Sequence, residues 1–207
     1  NILISLKRAK ITAQSVEIST ISKGVALLSI SSFSISTASQ VEELLSKTPH
    51  SKGVIIDLRN NPGGIVEEAV GVARQFINGG IIVSSQKASG EKSIFESTES
   101  GADQAPLVVL INRSTASAAE ILAAALQDRN RAVILGEKSY GKGTVQEFKT
   151  LNDGSKLELT VALYRSPSGK LIEGKGVSPD LAVPESVIAS KSLQVLGGLA
   201  ALITPSR

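Results

Sequence analysis

PLVVLINRSTASAAEILAAALQD, residues 106–128, decides the fold. Its first half, Pro106–Asn112, is a short apolar run rich in Val and Leu, the pattern of a buried strand. RSTAS is a polar turn, and Ala118–Asp128 is a run of strong helix formers. The same order occurs upstream: Gly53–Leu58 (GVIIDL) reads as a central strand, Arg59–Gly64 (RNNPGG) as a tight glycine loop, and Ile65–Ile77 as a helix. Strands alternating with helices predict an α/β layer with largely parallel strands.

Further out, Asn1–Ala9, Ile11–Ile18 and Gly24–Ile30 read as strands, and the β-rich ends predict flanking antiparallel strands. Ser36 and Thr37 are candidate caps for a helix in which Val41, Leu44 and Leu45 share a face. Gly79–Ser85 is a further strand, and the polar stretch Gln86–Asp103 a hairpin or a flexible loop. Ala132–Leu135 leads into the loop GEKSYGKG. Thr144–Lys149 and Lys156–Tyr164 flank Asn152-Asp153-Gly154, a hairpin signal. From Pro184 onwards, Val187, Ile188, Leu193 and Leu196 mark a C-terminal helix, residues 185–207, that frays into ITPSR. No internal repeat or low-complexity linker interrupts the chain.

The 207 residues suit one large domain, or one with a small appendage. Hydrophobic residues make up 42% and charged residues 20%, the balance of a globular protein. With aromatics at 3%, the core has to be built from Val, Ile, Leu and Ala. The absence of cysteine excludes disulfides, thiolate metal sites and a cysteine nucleophile. The net charge of +3 is scattered, so no nucleic-acid partner is expected. No apolar stretch approaches the ~20 residues that span a bilayer. A chain without Met is read as a processed or trimmed form, so a targeting or membrane-associating N-terminal segment could have preceded it.

Ser117 is the first candidate for chemistry. It follows an apolar strand and heads an Ala-rich helix, whose free N–H groups and positive end favour an anion. There the N–H of Ala118 can point at the same spot as the serine oxygen. Taken alone, a serine at a helix start is a cap far more often than a nucleophile. A nucleophilic serine also needs a base. His50, in the connection KTPHSKG, is the one histidine, but the sequence singles out no acidic partner for it, and it reads as a solvated loop residue. Lysine is the alternative, at a cost: bringing an ordinary amine from pKa ~10.4 to near 7 takes roughly 4 kcal/mol, which burial in an apolar pocket can supply. Lys138 and Lys142 share one loop. Lys142 is flanked by Gly141 and Gly143, and Gln146 is placed to fix its amine by hydrogen bonding. The ordinary reading of either lysine is an exposed side chain. Lastly, NNPGG (Asn60–Gly64) allows close backbone approach to a ligand, and Gly63 could add a second oxyanion donor.

Together these signals resemble the carboxy-terminal processing (tail-specific) protease family. The resemblance rests on DLRNNPGG (Asp57–Gly64), VLINRSTASAAEILAAALQD (Val109–Asp128), GEKSYGKGTVQ (Gly136–Gln146) and LYRSPSGKLIEGKGVSPDL (Leu163–Leu181). It implies a serine endopeptidase with Ser117 as nucleophile, Lys142 as base and Gln146 orienting the lysine. The N–H groups of Gly63 and Ala118 would form the oxyanion hole, with Lys138 a bystander. It implies an α/β fold, a spiral core of the crotonase and Clp-protease type, across residues 1–207, with no cofactor and no metal. Substrates would be proteins or peptides with accessible C-termini. The expected location is extracytoplasmic, the bacterial periplasm or cell envelope, with the thylakoid lumen as the alternative; a homo-oligomer fits the same picture. Members usually carry a PDZ domain ahead of the core, and no such stretch is found here. Two other readings share the spiral core or its binding capacity: a crotonase-like acyl-coenzyme A enzyme, and a non-catalytic pseudo-protease that holds peptides by strand addition.

Overall fold

The computed structural model describes residues 14–98 and 103–203. The run expected at Asn1–Ala9 lies outside them. The strand expected at Ile11–Ile18 starts later, as β1 (Val16–Ser22), and pairs antiparallel with β2 (Val25–Ile30). Helix α1 (Thr37–Lys47) follows, then β3 (Gly53–Asp57), α2 (Val66–Arg74), and a hairpin of β4 (Gly80–Lys87) and β5 (Lys92–Ser97). The second half runs β6 (Leu107–Ile111), α3 (Ala118–Asp128), β7 (Val133–Gly136), β8 (Thr144–Thr150), β9 (Lys156–Arg165), β10 (Leu181–Ala182) and α4 (Ile188–Ile203).

Two sheets form. The larger has the order β1-β2-β3-β6-β7-β10, parallel throughout except for β1. Its side chains alternate between two apolar layers, the period-2 consequence of the pleat. Val54, Ile56, Leu107, Val109 and Ile111 join the main core with α1, α2 and α3. Ile55, Val108 and Leu110 face the opposite way, into a smaller cluster closed by Ile188 and Leu196 of α4. Helices on both faces explain why these strands are continuously apolar rather than alternating. The C-terminal helix thus covers one face of the sheet.

The second sheet, β5-β4-β9-β8, is wholly antiparallel. The polar stretch after β4 resolves into a hairpin, and β4 leaves the parallel layer to pair with β9, some 80 residues further on. Antiparallel strands beside the parallel layer were expected, but this long-range pairing was not. It has no local sequence signal, because a half-exposed strand such as β9 can pair on either edge. Asp128, at the end of α3, ties the helix to the turn after β9 by accepting from Ser166, Ser168 and Lys170. The mixed α/β core is the fold expected.

Leu196 is 1% exposed whereas Leu193, three positions earlier, is 36% exposed. Leu196→Ala should cost about 2–4 kcal/mol in chemical denaturation by opening a cavity between α4 and the sheet, and Leu193→Ala under about 1 kcal/mol.

Candidate active site

The site lies beyond the C-terminal ends of β3 and β6, where parallel α/β sheets present their loops. The two loops are fastened to each other. Asn60 and Asn112 exchange hydrogen bonds, backbone N–H to Oδ1 and Nδ2–H to Oδ1, each at 2.9 Å. Ala116 N–H donates to the carbonyl of Asn61 at 2.9 Å, and the buried Thr115 hydroxyl donates to the carbonyl of Leu58 at 2.8 Å. A methyl group at Gly63 would stand 2.7 Å from Ser117 Cβ and 2.9 Å from Ala118 N, so only glycine admits this approach.

Ser117 occupies the position before α3, but not as an ordinary cap. Its backbone is at φ 55°, ψ −120°, whereas capping residues usually take the extended region. A non-glycine residue at such angles is strained, and the turn it makes between β6 and α3 is sharp. Ala118, fully buried, is the first helical residue, so its N–H has no intrahelical acceptor.

The residue that organises the site is one that sequence reasoning passed over. Glu120, 0% exposed, accepts four hydrogen bonds. Oε1 takes the Ser139 hydroxyl at 2.5 Å and Gly141 N–H at 2.6 Å. Oε2 takes Ser117 N–H at 2.9 Å and Lys142 N–H at 2.8 Å. The backbones of Ser117 and Lys142 therefore stand one hydrogen bond either side of a single oxygen. The available signal was the spacing Ser117-x-x-Glu120, that of a capping box, in which the acid reaches back to the N–H of the cap. What the spacing could not reveal are the three further donors from a loop some 20 residues downstream.

That loop is stitched down independently. Gly143 N–H donates to Glu173 Oε2 at 2.7 Å, Gly174 N–H to the carbonyl of Gly141 at 2.9 Å, and Val177 N–H to Ser139 Oγ at 2.7 Å. Lys142 and Lys138 are exposed, so the apolar burial that a lysine base calls for is not provided by the chain alone. Gln146 lies on the exposed part of β8, and among the described residues no hydrogen bond joins it to Lys142. Gly63 N–H is also engaged: it donates to Asn61 Oδ1 at 2.8 Å.

His50 is remote from Ser117. It precedes β3 while Ser117 follows β6, and the two strands run parallel and side by side, so the residues sit at opposite ends of the sheet. It is not a solvated loop residue either. Its ring nitrogens meet the carbonyl of Thr48 at 2.6 Å and the carboxylate of Asp103 at 2.7 Å.

Residues 24–183 match peptidase family S41. The chain is 42% identical over 149 residues to a carboxy-terminal-processing protease of Bartonella bacilliformis, covering 70% of this chain and 34% of that protein. It is 37% identical over 184 residues to the carboxy-terminal processing protease CtpA of Bacillus subtilis, covering 87% of this chain and 40% of that one. The solved photosystem II D1 C-terminal processing protease superposes with a TM-score of 0.79 at 35% identity, over 94% of this chain and 55% of that one. The chain thus spans about a third to two fifths of the length of these curated relatives.

Replacing Glu120 by Gln would set an amide NH2 against two N–H donors. Glu120→Gln should destabilise by about 2–4 kcal/mol, read by chemical denaturation, because buried donors lose their acceptor.

Proposed function

The chain belongs to peptidase family S41, and on that footing we propose that it is the catalytic core of a serine endopeptidase that cleaves protein substrates near their C-termini. The observation that carries this is the shared oxygen of Glu120, which holds the N–H of Ser117 and the N–H of Lys142 on either side of one atom. Ser117 Oγ attacks the scissile carbonyl carbon while Lys142 Nζ takes its proton. The C–N bond then breaks, the proton passes to the departing amine, and water resolves the acyl-serine by the same route. Ala118 N–H faces the developing oxyanion, with Gly63 N–H as second donor, and fixed donors of this kind contribute most where charge appears.

An exposed Lys142 fits this scheme if the bound peptide covers it. A polypeptide lying over the loop would displace water from the amine and favour its neutral form. Gln146, on the strand that continues from the loop, is assigned to orient the lysine in that covered state. The substrates proposed are proteins with accessible C-terminal tails, and the location proposed is extracytoplasmic. Family membership leaves the acyl-coenzyme A reading without support.

Ser117→Ala and Lys142→Ala should each abolish hydrolysis of an unfolded model protein, followed by mass spectrometry of the products, with circular dichroism unchanged. Activity should rise towards alkaline pH, since only the deprotonated amine accepts the serine proton. Near-normal turnover by Lys142→Ala, or a flat profile from about pH 6 to about pH 10, would remove the lysine from its role.

A further inference from the structure

The second oxyanion donor assigned above is not free. Gly63 N–H donates to Asn61 Oδ1 at 2.8 Å, and that side chain is 0% exposed. Nor is Asn61 able to swing aside at no cost. Its Nδ2 donates to the carbonyl of Ile30 at 2.8 Å, and its own carbonyl accepts from Ala116 N–H at 2.9 Å. The carbonyl of Gly63 is held as well, by Phe33 N–H at 2.8 Å. The Gly63 residue is thus clamped on both sides, and a side chain on it would collide with Ser117 and Ala118.

We infer that Asn61 is a positioning residue that occupies the Gly63 donor in the free protein, its amide oxygen standing in for the substrate oxyanion until the tetrahedral intermediate displaces it. The inference rests on the Ser–Lys reading of the site and adds to it a step of donor exchange. Two consequences follow from the chemistry. A neutral amide oxygen is a weaker acceptor than an alkoxide, so the exchange runs towards the oxyanion as charge develops. A ground-state carbonyl, also neutral, gains little by displacing Asn61, so the exchange favours the transition state over the bound substrate. Asn61 therefore acts on kcat rather than on KM.

The test uses the intact protein and a fluorophosphonate, in which Ser117 Oγ forms a bond to phosphorus, fluoride leaves, the serine proton passes to Lys142, and the phosphoryl oxygen takes the oxyanion position. Asn61→Ala removes the competing acceptor and leaves the Ile30 carbonyl unpaired. The protein should melt at lower temperature yet label Ser117 about two- to tenfold faster, the equivalent of one net hydrogen bond. In peptide hydrolysis the gain should fall on kcat with KM unchanged. Loosening of the loop alone would lower both rates, so a folded Asn61→Ala that labels no faster than the unsubstituted protein overturns the inference. Should that variant not fold, glycine- and asparagine-labelled unsubstituted protein decides by NMR. Phosphonylation should shift the Gly63 amide and the Asn61 side-chain amide together. An adduct that leaves the Asn61 signals in place overturns donor exchange alone, and the absence of any adduct on Ser117 overturns the peptidase reading and this inference with it.

Discussion

A buried carboxylate met by four hydrogen-bond donors and, among the described residues, by no ion pair is the constraint on which the site depends. Glu120 is fully enclosed, and its charge is met by the N–H groups of Ser117, Gly141 and Lys142 and the hydroxyl of Ser139. A buried ionised group is costly unless hydrogen-bonded, so each donor is held in place by the penalty that its loss would bring. One donor, Ser117 N–H, belongs to the turn before α3 and the other three, from Ser139, Gly141 and Lys142, to the loop after β7, segments about 20 residues apart in sequence. Electrostatic satisfaction of one side chain thereby fixes the relative placement of two backbone segments.

The rest of the architecture serves that placement. Parallel β3 and β6 bring their following loops side by side, and the Asn60–Asn112 amide pair and the Ala116–Asn61 backbone bond lock the two together. Gly63 permits a contact with Ser117 that any side chain would block. On the far side, the turn at 172–177 grips the lysine loop through Glu173 and Val177. The strained backbone of Ser117 is held from all of these directions, which is the circumstance in which unfavourable dihedral angles persist.

Much of this was legible in the residues. α3 begins and ends where the helix-forming run Ala118–Asp128 predicted, because local propensity and burial agree there. The loop glycines and Ser117 fall at one end of the sheet, as the repeated strand–turn–helix pattern required. The role of Glu120 was not legible, since an acid in the first turn of a helix is ordinarily a solvated partner of the dipole. Nor was the second sheet, whose β4–β9 pairing joins distant segments without a turn between them. The exposure of Lys142 departs from the burial that the proposed base role calls for, because a sequence records that an amine is present but not how deeply the fold places it. His50 was read as solvated, because its partner Asp103 lies 53 residues away.

The most direct test is a crystal structure of the intact protein with a peptide aldehyde captured on Ser117. The account predicts a hemiacetal on Ser117 Oγ, with Lys142 Nζ within about 2.6–3.2 Å of that oxygen, the reach of a general base. It also predicts that Glu120 Oε2 still bridges both backbones. A hemiacetal formed with the Lys142 amine turned out to solvent, or with the bridge broken, would contradict it.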